Sequence, residues 1–174
     1  AAAGSGRCRR CAPAAGPPGD KSIAVLPVSA APSVNSQMFS YRVGDLRYDR
    51  DYYNRLLAPP AQLLTDELRE WLMKSKVGPV REPGSPLASD WIVQARLTEF
   101  HADYRDLQRP RAVAGMVIVL IARNDSGGRQ VSERTYRGEV PMREISPAAA
   151  AEGWGLAAGR IFAAFTRDLR KAAP

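Results

Sequence analysis

The sequence predicts an α+β fold, a two-layer sandwich with a mainly antiparallel sheet and two helices packed on one face. Two segments, at about 60–76 and 147–170, repeat apolar residues at helical spacing, whereas the stretches around them alternate or run as short apolar blocks. The blocks are joined by short turns, which suits antiparallel pairing because a parallel return needs a longer crossover. Strands and helices in this proportion bury each other's apolar faces as two layers, leaving the second sheet face available to partners.

Residues 1–21, "AAAGSGRCRRCAPAAGPPGDK", are rich in Gly, Ala and Pro without periodicity and read as a flexible tail, leaving 22–174 as a single domain. Ile23 to Val28 forms a continuous apolar run, a short strand buried on both faces. In "SQMFSYRVG", Met38, Ser40 and Arg42 alternate against Phe39, Tyr41 and Val43, so this is a second strand, expected at a sheet edge. The segment 44–58 is expected to cross from that edge to the first helix. Pro60 suits a first helical position, where a missing amide is harmless, and Leu64, Leu68, Trp71 and Leu72 make the buried stripe until Gly78 and Pro79 stop it. After a loop, Trp91, Val93, Ala95 and Leu97 alternate with Gln94, Arg96 and Thr98 as a half-solvated strand. "HADYRDLQRPR" is expected to be a polar connection to the buried strand Ala112–Ala122, which turns at "NDSGG" into "RQVSERTYRGEVP". Ser146 and Pro147 open the last helix, whose stripe is Trp154, Ala158, Ile161, Phe162, Phe165 and Leu169. Gly153, Gly155 and Gly159 lower its propensity by up to ~1 kcal/mol each and are expected to permit close approach to the sheet.

The chain of 174 residues carries a formal charge of +7, which raises the prospect of an anionic partner. Three of its cationic residues, Arg7, Arg9 and Arg10, lie in the first ten positions, so the folded part is only mildly basic. The eleven-residue run Ala112–Ala122 falls short of the ~20 residues a spanning helix needs. No apolar signal region is found, so the chain reads either as cytoplasmic or as written without its leader. Cys8 and Cys11 form the lone motif "CRRC". A redox pair would open a helix in a βαβ unit, and a zinc site would need two further ligands where His101 is the only histidine, so exposed thiols on a tail are expected.

Chemistry needs converging groups, and few are offered. His101 and Asp103 could form a base and its orienter, yet no nucleophile motif accompanies them, and a structural histidine is expected. Glu99, Asp103 and Asp106 could hold a cation, but Arg96, Arg105 and Arg109 interleave with them, which favours a surface charge network. No phosphate loop is present, so neither an enzyme, a metal nor any other cofactor is expected.

The densest feature is "SYRVGDLRYDRDYYNRLLAPPAQLL" at 40–64. Tyr41, Tyr48, Tyr52 and Tyr53 could stack bases while Arg42, Arg47, Arg50 and Arg55 meet phosphates, the signature of a nucleic-acid-binding module. Asp45, Asp49 and Asp51 are threaded through the same arginines and would repel a phosphate chain. The competing expectation is a protein-docking surface, since tyrosines bury a ring while leaving a hydroxyl wet.

The order of these features decides between them. "IAVLPVSAAP", then Tyr41-Arg42, Leu46 with Tyr48, the pair Tyr52 and Tyr53, the Ala-Pro-Pro step into a helix, "WIVQARLTEFHAD", a long buried strand and an alanine-rich helix with Trp154 resemble the ABC-type transport auxiliary lipoproteins. These include the auxiliary lipoproteins of paraquat-inducible, MCE-type lipid transport systems, and the resemblance spans roughly 22–170. It implies a non-enzymatic periplasmic domain, tethered to the outer membrane by a lipid, that works beside an ABC permease, an ATPase and an MCE-domain protein. Tyr41, Arg42, Leu46, Tyr48, Tyr52 and Tyr53 are then the candidate partner-binding residues, and Cys8 and Cys11 the only candidates for lipid attachment. Neither cysteine follows the small and aliphatic residues of a lipobox. A homo-oligomer stays open beside these partners.

Overall fold

A computed structural model describes residues 19–82, 84–85, 88–124 and 127–172. Cys8, Cys11 and the rest of 1–18 lie outside the described residues, as do Asp125 and Ser126 of the expected turn. The elements in order are β1 (Ile23–Val25), β2 (Ser29–Ala30), β3 (Met38–Arg42), β4 (Tyr48–Arg55), α1 (Pro60–Ser75), β5 (Val80–Arg81), β6 (Trp91–Asp103), β7 (Arg111–Asn124), β8 (Gly127–Pro141) and α2 (Pro147–Ala172). They form the expected two-layer α+β sandwich.

Strand β6 organises the sheet. One edge pairs antiparallel with β7 from Trp91–Ala122 to Asp103–Arg111, and β7 in turn pairs antiparallel with β8. Its other edge takes β1, β2 and β3 in succession, all parallel to it, with β5 outside β1 and β4 outside β3. The long ladders are therefore antiparallel, as expected, while the short strands make the sheet mixed. The run from Ile23 to Val28 is not one strand. It ends at Val25, and the amide of Val28 donates to Thr65 Oγ1 of α1 instead of to a ladder.

Both helices cover the same face. Leu64, Leu68 and Leu72 of α1 and Ile161, Phe162, Phe165 and Leu169 of α2 share one core with Val25, Trp91, Val93, Ala95, Leu97, Met116, Ile118 and Leu120. Trp71 Nε1 donates to Thr166 Oγ1 at 3.1 Å, joining the helices. Pro60 stands at the start of α1 as expected, and since Pro59 offers no side-chain cap, Asn35 Oδ1 accepts the Ala61 amide at 3.0 Å. The helix ends before Gly78: Lys76 adopts the left-handed conformation at φ 54 and returns its amide to the Met73 carbonyl. Ser146 caps α2 by accepting the Ala149 amide at 3.1 Å.

A second core lies at the far end of the helical face. Phe39 and Phe100 pack on Trp154 with ring centroids 4.9 and 4.7 Å away. Ala102, Tyr104, Ala112, Met142 and Ala150 complete the cluster. Here α2 approaches closely, because a Cβ at Gly153 would run into that of Ala112 and one at Gly138 into the backbone of Ala157. At Gly155 nothing stands within 4 Å, so that glycine serves no approach.

The expected polar connection at 101–111 is shorter than the sequence suggests. The β6–β7 register shifts between Leu97 and Glu99, and this bulge reverses the alternation of β6. Before it Trp91, Val93, Ala95 and Leu97 face the helices. After it the even residues Phe100 and Ala102 do, while Glu99, His101 and Asp103 turn to the open face. The strand therefore continues through "HAD". Among the described residues no helix is long and apolar enough to cross a membrane.

Candidate functional site

Residues 38–55 fold back as an antiparallel hairpin, with Tyr41 opposite Asp49 and Arg42 opposite Tyr48. This corrects two expectations: 44–58 does not cross directly to the helix, and β3 is not an edge, because β4 lies outside it and β6 inside. The Arg42 guanidinium explains the tight turn. It donates to the carbonyls of Asp45 at 2.8 Å and Gly44 at 3.3 Å.

Near the start of β3 the ladder jumps, Met38 pairing with Arg55 but Phe39 with Asp51. Asp51 Oδ1 accepts the Tyr53 amide at 2.9 Å and the Asn54 amide at 3.2 Å, while its Oδ2 accepts the Asn54 side chain. These bonds, the Asn54 side chain first, hold the Asp51 carboxyl below the ordinary carboxylate value. The resulting bulge expels Tyr52 and Tyr53, which are 72% and 97% exposed.

The six candidate residues thus divide. Tyr41 is half-buried, stacked on Tyr104 at 5.0 Å with its hydroxyl donating to Asp51 at 2.9 Å, and burial pushes its pKa up. Arg42 holds the turn and also lies over the Tyr48 ring. Tyr48 is half-exposed, its ring edge-on to His101 at 5.4 Å. Only Leu46, at 97% exposure, Tyr52 and Tyr53 point freely outward.

Three loops meet at the turn end of the hairpin. Asp45 accepts from Arg105 at 2.9 Å, tying the turn to the 104–110 connection, and the Met142 amide donates to the Pro110 carbonyl, tying that connection to the entry of α2. Each loop presents an exposed aliphatic side chain: Leu46, Leu107 and Ile145. Leu107 and Ile145 were not singled out in the sequence, since isolated aliphatics in polar loops carry no periodic signal. Leu57, also outward, was missed for the same reason.

The charged groups are mostly engaged. Arg47 bonds Asp49, Arg105 bonds Asp103 at 2.8 Å, and Arg137 bonds Glu99 at 2.9 Å and also Glu139, which Arg111 meets from β7. Asp106 accepts the Gln108 amide in its own turn. Glu99 and Asp103 therefore serve surface ion pairs while Asp106 closes its own turn, and among the described residues no group of three His, Cys, Asp or Glu side chains could hold a metal. His101 and Asp103 do lie on one face. Even so, the imidazole is 4% exposed and the carboxylate is taken by Arg105.

No family model and no curated protein matches the chain. Solved structures share its fold: protein XCC0632 from Xanthomonas campestris, described under the family model DUF330, superposes with TM-score 0.79 at 19% identity, covering 92% of this chain and 91% of that one. An uncharacterized protein gives 0.71 at 16% identity, over 89% and 95% of the two chains. The hypothetical protein CT253 from Chlamydia trachomatis gives 0.63 at 14%, over 88% and 98%. The fold is thus a recurrent one, shared over most of the chain with proteins of very different sequence.

Proposed function

We propose that the chain is a non-enzymatic accessory component of an ABC/MCE-type transport system of the bacterial envelope, acting by docking on a protein partner. The observation that carries this reading is the outward exposure of Leu46, Tyr52 and Tyr53 on one hairpin, whose Tyr41 and Arg42 are tied into the fold. Protein interfaces are enriched in aromatic side chains such as these tyrosines. The sequence resemblance over 22–170 supplies the system, and an ABC permease or MCE-domain protein is the partner class. Tethering to the outer membrane through Cys8 or Cys11 belongs to the same proposal.

Mixed charge around these side chains favours a protein over a nucleic acid. Of the four tyrosines, Tyr41 is committed to Tyr104 and Asp51, and Arg47 is neutralised by Asp49. A Leu46→Ser/Tyr53→Ser variant leaves every hydrogen bond of the turn in place and is expected to fold with stability within about 0.5 kcal/mol of the parent. Capture of the permease or MCE-domain protein by this variant should fall at least tenfold. Undiminished capture by the folded variant would remove the hairpin from the interface.

A further inference from the structure

The two strands of the hairpin are held unequally: β3 is anchored by Phe39 on Trp154 and Tyr41 on Tyr104, whereas β4 is the outermost strand. Among the described residues the hairpin's ladder to β6 consists of Tyr41 with Ala102 and Arg42 with Asp103, and β4 pairs only with β3. On the open face β4 meets β6 through the Tyr48 ring, set 88° to the His101 imidazole. That imidazole is buried, and its Nε2 has no hydrogen-bond partner among the described residues. A neutral ring tolerates this position, whereas an imidazolium there would be a buried cation with an unsatisfied donor.

Charged groups approach from each neighbouring strand. Glu99 and Asp103 flank His101 on β6, Arg42 comes from β3, and Arg137 with Glu139 from β8. Tyr48 covers it from β4, while its β7 ladder partner is the apolar Val113, next to which Arg111 bonds Glu139. The two flanking carboxylates favour a charged ring, but Arg137 and Arg105 already engage them. Burial outweighs them and, with Arg42 and Arg137 acting the same way, holds His101 below its ordinary value.

We propose that Tyr48 and His101 form an acid-sensitive latch, closed while the imidazole is neutral and opened when protonation draws it to water, which frees the β4 edge of the hairpin. A base held below its ordinary value in the closed state favours closure above that value. Below it the open state binds the extra proton, so closure weakens as pH falls. The latch is independent of any partner. Its bearing on partner capture rests on the docking reading above, because Tyr52 and Tyr53 ride on the same strand.

His101 is the only histidine, so its ring Cε1–H gives a single NMR resonance in the full chain. Titration of that resonance, with amide hydrogen exchange corrected for intrinsic rate, tests the latch with no partner present. Its failure and the failure of the docking reading are therefore separate results. The expected midpoint lies below 6.5. Protection of the β3–β4 amides should fall by up to about tenfold per pH unit in the acid range, while the β6–β7 ladder keeps its protection. Tyr48→Ala should raise the midpoint toward 6.5, and His101→Gln should abolish the acid-dependent opening. A parent midpoint at or above 6.5, or acid-dependent opening that persists in folded His101→Gln, would overturn the latch. Should His101→Gln not fold, an unchanged midpoint in Tyr48→Ala would overturn it equally.

Discussion

At the scale of single residues, Thr65 shows how one hydroxyl joins two elements. Its Oγ1 accepts the Val28 amide at 2.8 Å, where β1 has ended and β2 has not begun, and the hydroxyl donates to the Ala61 carbonyl at 2.7 Å. Both partners are buried, so neither has water as a substitute. Thr65→Val keeps the shape and removes the acceptor, leaving a buried amide unpaired. Urea unfolding should show a loss of about 1–3 kcal/mol, and a change near zero would mean that the Val28 amide finds another acceptor. Nothing at position 65 announces this role in the sequence, where the threonine falls beside a leucine stripe. The same holds for Asn35, whose cap on α1 spans 26 residues.

Elements were legible where one periodicity runs unbroken. The stripes of α1 and α2, the Pro60 start and the Ser146 cap follow directly from spacing, and every residue of the α2 stripe is buried. The β6 strand was read correctly only to its bulge: a single extra residue exchanges the two faces, so "HAD" looks polar at the positions where core residues are awaited. Strand β4 was hidden differently, because an exposed edge strand rich in Asp and Arg has no apolar alternation to betray it. Two glycines, Gly138 of β8 and Gly155 of α2, allow a paired test of how α2 packs on the sheet. Gly138→Ala sets a methyl group against the Ala157 backbone and should cost about 1–3 kcal/mol, with the sheet and α2 forced apart. Gly155→Ala meets open space and should instead stabilise α2 by up to about 1 kcal/mol. Equal effects in thermal unfolding would show that close approach at Gly138 is not what holds α2 to the sheet.

For the molecule as a whole, the architecture places both helices on one sheet face and leaves the other face and the hairpin end uncovered by helices. Helices α1 and α2 seal one sheet face, and the described chain starts at the opposite end of β6 from the turn bearing Leu46, with the Gly19 amide bonded to the Lys76 carbonyl. The candidate site was legible in outline, since the Tyr and Arg segment stood out by composition. Its working part was not, because only the fold shows that Tyr41 and Arg42 are internal supports and that Leu107 and Ile145 join Leu46. The proposed service to an envelope transport system requires a protein contact. The most direct test is affinity capture of the full chain from nuclease-treated, detergent-solubilised envelope, with co-purifying proteins identified by mass spectrometry. The account predicts recovery of an ABC permease or MCE-domain protein, reduced in the Leu46→Ser/Tyr53→Ser variant. Recovery of nucleic acid from the soluble fraction, with affinity that falls steeply as salt rises and no envelope partner, would contradict it.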